Sequence, residues 1–100
     1  MENSKKEIQE NLNKAAQNAE KEIKKLQDEM ADASNDVKKQ MQTTIDEIKV
    51  QQEKIANKTK EVADATEDSW EKVKAEADNT MSEVSDKMGS LVNRVKANVS

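Results

Sequence analysis

The sequence predicts an all-α fold, and three observations support that class. Proline is absent and Gly89 is the only glycine among 100 residues, so few positions favour a break in a helix. Ala, Glu, Lys, Gln and Met, which are good helix formers, make up much of the chain. Apolar residues recur at a spacing of about eleven, which is three turns at about 3.67 residues per turn, so they share one stripe of a helix. We therefore expect one or two long amphipathic helices, either a continuous helix or an antiparallel hairpin or coiled coil.

The composition limits how much core one copy of the chain can build. Hydrophobic residues are 33% of the sequence, charged residues are 38%, and Trp70 is the only aromatic residue. Ordering the backbone costs roughly 1–2 kcal/mol per residue, which few large apolar side chains are present to offset. We therefore expect self-association, a protein partner or a lipid surface to complete the burial.

A first amphipathic helix is predicted over residues 4–49. Ser4 can cap its N-terminus, and Glu7, three positions later, completes a capping box. From Ile8 onward the apolar residues step by three or four, as expected for one face of a helix. The apolar phase passes unshifted through residues 32–36, so we expect the helix to continue there with at most a mild bend.

Residues 50–60 form a polar segment near the middle of the chain. Only Val50, Ile55 and Ala56 are apolar within it. The apolar face that follows is rotated by roughly 65° from the face that precedes it. We interpret this segment as a hairpin tip or as a phase shift between two helices.

A second amphipathic helix is predicted over residues 61–99, on the strength of two rows of residues with a spacing of eleven. The rows are Val62, Val73, Val84 and Val95, and Thr59, Trp70, Met81 and Val92. Both helices contribute to one predicted interaction stripe. It consists of Ile8, Leu12, Ile23, Leu26, Met30, Val37, Met41, Ile45, Ile48, Ile55, Val62, Trp70, Val73, Met81, Val84, Met88, Val92 and Val95.

A three-helix bundle with breaks near residues 32–36 and 64–69 is the alternative arrangement. Ser34, Asn35 and Asp36 are consecutive residues of the types that cap helices. Asp68 and Glu71 match a second capping box. These two breaks would divide the chain into three helices of nearly equal length.

The residues that enzymes use most for catalysis are scarce. Because the chain has no His, Cys or Tyr, the usual general base, thiol nucleophile and phenolic acid are missing. We predict no catalytic, cofactor-binding or metal-binding residues. The densest acidic set, Asp64, Glu67, Asp68 and Glu71, has the oxygen ligands that Ca²⁺ prefers, but we interpret it as a solvated helix face. Trp70 is either an anchor for a partner or lipid, or the large residue of a thin helix–helix core, and we favour the core.

Charge and hydropathy narrow the partners and the location. The net charge of −4 disfavours nucleic acid as a partner. No apolar run approaches the length of a membrane span, and the N-terminus lacks the apolar region of a secretory signal, so we expect a cytoplasmic location. The lysines lie all around the helix and the apolar stripe is rich in small residues. Self-association or a protein partner is therefore expected ahead of a lipid surface.

Two stretches, Lys60-Glu-Val-Ala-Asp-Ala-Thr-Glu-Asp and Trp70-Glu-Lys-Val-Lys-Ala-Glu-Ala-Asp, resemble the repeats of group 3 late-embryogenesis-abundant proteins and of exchangeable apolipoproteins. The resemblance covers most of the chain and rests on composition and repeat length. It implies a conditionally folded helix that protects proteins or coats lipid under stress. The chain departs from these proteins in its near lack of glycine and in its more hydrophobic first half.

We predict a non-enzymatic structural or interaction protein that uses its amphipathic stripe for helix–helix association. Two alternatives remain open from the sequence. One is a stress-type protectant or a helix that binds lipid surfaces. The other is a compact three-helix binding module.

Overall fold

A computed structural model describes the backbone of residues 2–99 and the side chains of residues 3–97. Helix α1 spans Glu2–Met30, α2 spans Asn35–Asp64 and α3 spans Trp70–Val99. Two short loops reverse the chain, so α1 and α3 run parallel to each other and antiparallel to α2. The Cα atoms extend over 53 × 17 × 16 Å. The all-α class is confirmed, and the three-helix bundle is the arrangement that the chain adopts.

The first reversal is explained by Ser34, which caps α2. Ser34 has an extended backbone (φ −65°, ψ 163°), and its hydroxyl accepts a hydrogen bond from the Val37 N–H at 3.4 Å. The prediction of an unbroken helix over residues 4–49 is therefore wrong. Met30 and Val37 keep the same apolar phase because seven residues separate them, which is about two helical turns. An unshifted phase does not exclude a chain reversal of that length.

The second reversal is organised by Ser69. Ala65 leaves the helical conformation (φ −65°, ψ 139°) and ends α2. The Thr66 N–H donates to the Ser69 hydroxyl at 3.0 Å, and the Val73 N–H donates to the Ser69 carbonyl at 3.0 Å. The Val73 N–H bond is the first i→i−4 bond of α3, and the Thr66 N–H bond holds the loop against the residue that precedes the helix. The break near residues 64–69 that the three-helix alternative predicts is confirmed, and the prediction of one helix over residues 61–99 is wrong, because residues 65–69 lie between α2 and α3.

Residues 50–60 are not a hairpin tip, because they lie inside α2. The segment contains neither proline nor glycine, and its Gln, Lys and Glu residues favour helix. Gln51 is only 4% exposed, between the buried Ile48 and Ile55, whereas Val50 is 49% exposed. The gap in the apolar stripe therefore marks a polar side chain at a core position.

Two hydrophobic clusters fill the core, one in each half of the bundle. The Trp70 cluster lies toward the loop between α2 and α3, and the Ile45 cluster lies toward the loop between α1 and α2. Gln51 lies on α2 between the two clusters, and Met88 packs against both of them. The Trp70 cluster contains Ile8, Leu12, Ile55, Val62, Ala65, Trp70, Ala77 and Val84. The Ile45 cluster contains Ala19, Ile23, Leu26, Met41, Ile45, Ile48, Leu91 and Val95.

Candidate functional site

The predicted interaction stripe faces the interior of the bundle, where the three helices bury it against one another. Six of its members are only half-buried. Three of these six, Met81, Met88 and Val92, line one groove on the surface. The buried members are Ile8, Leu12, Ile23, Leu26, Met41, Ile45, Ile48, Ile55, Val62, Trp70, Val84 and Val95. The half-buried members are Met30, Val37, Val73, Met81, Met88 and Val92.

Polar contacts reinforce the packing of α1 against α2. The Lys5 ammonium group donates to the Ala65 carbonyl at 3.2 Å, at the end of the bundle near the second loop. Near the middle, the Gln52 side-chain amide donates to the Glu20 carboxylate at 3.0 Å. These contacts fix the level of α1 relative to α2.

Ion pairs join α2 to α3. The Lys58 ammonium lies 2.7 Å from a Glu61 carboxylate oxygen on its own helix and 3.3 Å from a Glu76 oxygen on α3. The hydrogen bond to Glu61 is the main reason why the pKa of Lys58 is raised above its ordinary value, with Glu76 adding to the effect. Arg94 of α3 pairs with Glu47 of α2 further along the bundle.

The seam between α1 and α3 is the most open of the three helix pairings. Two cavities of about 460 and 580 Å³ lie along it, and both are lined by Glu22 and Val92, so they form one continuous groove. We call this groove the α1–α3 trough. On α1 it runs from Asn11 to Glu29, a length of about 27 Å at about 1.5 Å per residue.

The floor of the α1–α3 trough is apolar. Val95 and Leu26 are buried there, and Ile48 contributes from α2 below. Val92 and two methionines, Met81 and Met88, are half-buried on the α3 side. Methionine is flexible and adapts to differently shaped partners. These side chains provide a continuous apolar strip that the bundle itself leaves partly uncovered.

The α3 rim of the trough is built from small residues without charge over most of its length. Ser85, Gly89 and Asn93 line it at intervals of four residues, which places them one helical turn apart. A Cβ atom added at Gly89 would meet no atom within 4 Å beyond its chain neighbours and the backbone of its own helix. A glycine inside a helix costs about 1 kcal/mol relative to alanine, and here it leaves space for close approach of another backbone. Lys96 supplies a charge at the far end.

The α1 rim carries charges of both signs. Lys14 lies toward one end, Glu22 lies near the middle, and Lys25 and Glu29 lie toward the other end. Lys14 and Glu29 are exposed. The two ends of this rim therefore differ in charge. One end carries Lys14, and the other carries both Lys25 and Glu29.

Three buried polar residues were absent from the predicted stripe: Thr44, Gln51 and Thr80. The Thr44 hydroxyl is satisfied within its own helix, where it donates to the Gln40 carbonyl at 3.0 Å. Helical spacing alone could have located Gln51, because it follows Ile48 by three residues and precedes Ile55 by four. The predicted stripe contains only apolar residue types, so it leaves out these polar residues although they are buried.

Comparison of the chain with known protein families, with curated proteins and with solved structures found no match. Within the described part of the chain, no helix combines the length and the apolar character needed to cross a membrane. The acidic residues Asp64, Glu67, Asp68 and Glu71 are exposed around the second loop. We therefore take the α1–α3 trough as the candidate functional site.

Proposed function

We propose that this chain is a non-enzymatic interaction protein, a compact three-helix module that binds an amphipathic helix in the α1–α3 trough. One observation carries the proposal. The seam between α1 and α3 is open over an apolar floor, whereas polar contacts reinforce the packing on both sides of α2. The sequence predicts helix–helix association through the stripe. We propose that this association uses Met81, Met88 and Val92, the stripe residues that remain half-buried in the trough.

The trough has the geometry of a four-helix bundle that lacks one helix. Two parallel helices form its walls, and Ile48 of α2 contributes to its floor. A helix placed there would pack its apolar face on Met81, Met88 and Val92, in the manner of other helix-in-groove complexes. Each apolar side chain that passes from exposed to buried contributes up to about 1.5–3 kcal/mol, and these half-buried residues contribute part of that.

A pre-organised helical peptide tests this proposal. We suggest a stapled peptide of about 18 residues, which matches the length of the trough, with leucines on one face and glutamines on the other. The full chain carries an environment-sensitive dye at Asn11→Cys, an exposed position at one end of the trough, which is a unique thiol because the sequence contains no cysteine. Saturable change in dye emission is the expected result.

Two further substitutions in the dye-labelled chain show whether the peptide lies in the trough. Val92→Glu places a carboxylate on the floor and should abolish binding, while Val50→Glu places one on the exposed outer face of α2 and should leave binding unchanged. Circular dichroism must show that both variants remain helical. Absence of saturable binding, or equal loss in both variants, would contradict the proposal.

A second candidate function is that of a stress-type protectant or lipid-surface protein. The thin core favours it, since Trp70 is the only aromatic residue available to hold the helices together. In this case the bundle would open and lay its stripe on a bilayer. It predicts a chain with little helix in buffer and a large gain in helicity on addition of liposomes. A chain that is already helical in buffer and gains nothing from liposomes would remove this candidate.

A further inference from the structure

We infer that the loop between α1 and α2, residues 31–34, is a hinge, and that two copies of this chain exchange α1 by opening it. In the exchanged dimer the hinge residues become helical, so α1 and α2 merge into one helix over residues 2–64, about 95 Å long. The α1 segment of each copy then packs against α2 and α3 of the other copy. Exchange of an identical element is a low-cost route to a dimer, because the contacts within each bundle are kept.

The apolar stripe is compatible with a closed and with an open hinge. Met30, Ala33, Val37 and Met41 follow one another at intervals of three and four residues, which is the spacing of a single helix face. With the hinge closed, all four lie in or against the Ile45 cluster. With the hinge open, the same residues continue the stripe from α1 into α2 without a shift of phase. Opening therefore leaves the apolar side chains of this segment on the face that packs.

The backbone of the hinge can become helical. Residues 31–34 are Ala, Asp, Ala and Ser, with neither proline nor glycine among them, and alanine is the best helix former. The hydrogen bonds of the closed hinge are local: the Ala31 N–H donates to the Asp28 carbonyl at 3.3 Å, and the Ala33 N–H donates to the Met30 carbonyl at 3.2 Å. Opening exchanges such bonds for the i→i−4 bonds of a continuous helix. It thereby pairs the N–H and C=O groups that two helix ends leave without a helical partner.

The loop between α2 and α3 is held more firmly, which favours the first loop as the hinge. Lys5 of α1 donates to the Ala65 carbonyl, and the Thr66 N–H donates to the Ser69 hydroxyl across the loop. Ala65 and Trp70, at the two ends of this loop, are buried in the Trp70 cluster. The first loop, by contrast, is exposed at three of its four residues. Opening it therefore withdraws little surface from the core.

The contacts between α1 and α2 fit the exchanged pairing. The position midway in the sequence between Glu20 and Gln52 is residue 36, and the position midway between Lys5 and Ala65 is residue 35. Both contacts therefore belong to one straight antiparallel register of α1 on α2. A two-fold axis near residues 35–36 restores both of them between two copies, so the exchanged dimer keeps the polar contacts of the closed chain.

Three aspartates at the hinge oppose its opening. Asp28, Asp32 and Asp36 are exposed and spaced four residues apart, so a continuous helix would stack them on one face, where like charges at that spacing destabilise the helix. In the closed chain Ser34 caps α2, and Asp36 lies in its first turn, where the helix dipole favours a carboxylate. The balance between monomer and exchanged dimer thus depends on a few polar residues at the hinge, because the apolar packing of the helices is the same in both.

Distances between spin labels test the opening of the hinge. The full chain with Gln17→Cys and Val50→Cys, both at exposed positions, carries one nitroxide on α1 and one on α2. It is refolded from guanidinium at millimolar concentration with a large excess of unlabelled chain, and dimer is separated from monomer by size-exclusion chromatography. The labelled positions lie within about 25 Å of each other in one bundle, whose cross-section is 17 × 16 Å, but about 50 Å apart on a continuous helix. We expect the long distance in the dimer. A chain that forms no dimer, or a dimer that keeps the short distance, would overturn the inference.

A proline at the start of α2 provides a second test. Asn35 is the first residue of α2, a position that favours proline because its N–H has no helical partner there. Ser34 already has the extended backbone that a following proline requires (φ −65°, ψ 163°). Asn35→Pro should therefore keep the closed bundle, as circular dichroism can verify, yet break the continuous helix and weaken dimerisation by at least about a hundredfold. Asn35→Ala, the matched control, should form at least as much dimer as the parent chain. Equal dimer fractions in the two variants would contradict the inference.

Removal of the central aspartate should have the opposite effect. Asp32→Ala removes both like-charge pairs of the open hinge and should strengthen dimerisation by about tenfold, whereas Asp86→Ala, at an exposed aspartate of α3, should leave it unchanged. Sedimentation equilibrium of refolded chains measures both, and an equal effect of the two substitutions would refute the role of the hinge. Each half of the exchanged dimer keeps an α1–α3 trough. A chain that binds the stapled peptide but never exchanges α1 would therefore overturn this inference and leave the helix-binding proposal standing.

Discussion

Replacing Gln51 by leucine should stabilise the bundle, and the structure fixes the sign of the effect. Gln51 is only 4% exposed and lies on α2 between Ile48 of one core cluster and Ile55 of the other. Its amide is thus kept largely from water at the point where the two clusters meet. Leucine has a similar length and carries no polar group, so it can join the clusters without leaving a large cavity.

The expected gain follows from replacing a largely buried amide by apolar groups. Among the described residues, no side-chain nitrogen or oxygen is both fully buried and without a hydrogen-bond partner, so the full penalty of an uncompensated amide does not apply. We expect Gln51→Leu to raise the free energy of unfolding by about 1 kcal/mol, close to the contribution of one buried methylene group. For a domain of this size, 1 kcal/mol corresponds to a rise in Tm of roughly 4–8 °C.

Guanidinium unfolding, followed by the helical signal in circular dichroism, measures this change. Gln40→Leu is a matched control, because Gln40 is an exposed glutamine on the same helix, and surface substitutions usually change stability by less than about 0.5 kcal/mol. Both variants should be measured where sedimentation shows the same mass as the parent chain. A Gln51→Leu variant that is no more stable than Gln40→Leu would refute the idea that Gln51 is a polar joint, a weak point in the core between the two clusters.

Three further predictions concern the caps, the core and one ion pair. Ser34→Ala should cost about 1 kcal/mol because it removes the side-chain acceptor for the Val37 N–H; chemical denaturation checks this, and a change equal to that of the exposed Ser90→Ala would contradict the cap. Val84→Asp should cost at least about 3 kcal/mol and lower helicity, since the site is 3% exposed; unchanged circular dichroism and mass would argue against the packing. Lys58→Met should destabilise by less than about 1 kcal/mol at neutral pH. Because the folded pKa of Lys58 is raised, its stabilisation is complete below its ordinary pKa and is lost as the pH rises through the folded value. Denaturation curves at neutral and strongly alkaline pH should therefore show the difference only at neutral pH.

The fold class and most of the core could be predicted from the sequence because both depend on local pattern. Helix formers and a period near 3.6 predicted amphipathic helix over most of the chain, although as one or two long helices, and residues such as Leu12 and Ile45 are buried as expected. The chain reversals could not be placed by phase alone. Met30 and Val37 are about two turns apart, so a continuous helix and a tight reversal give the same apolar pattern, and only the Ser34 cap distinguishes them.

The trough could not be predicted from the sequence, for a different reason. Whether a half-buried residue faces a neighbour or a groove depends on the distance between helices, and no periodicity encodes that distance. Gly89 illustrates the limit. The sequence shows that Gly89 weakens its helix. Only the three-dimensional packing of α1 against α3 shows that Gly89 lines the trough.

The polar joint at Gln51 lies close to the trough. The Gln52 amide bonds to Glu20 of α1, and Ile48, three residues before Gln51, contributes to the trough floor. A helix bound in the trough would therefore cover the bundle near the point where its core is least continuous. Because a partner that binds only the folded state stabilises it by mass action, the Tm should rise with the concentration of the stapled peptide, and the rise should be lost in Val92→Glu. A Tm that rises equally in Val92→Glu would contradict binding in the trough.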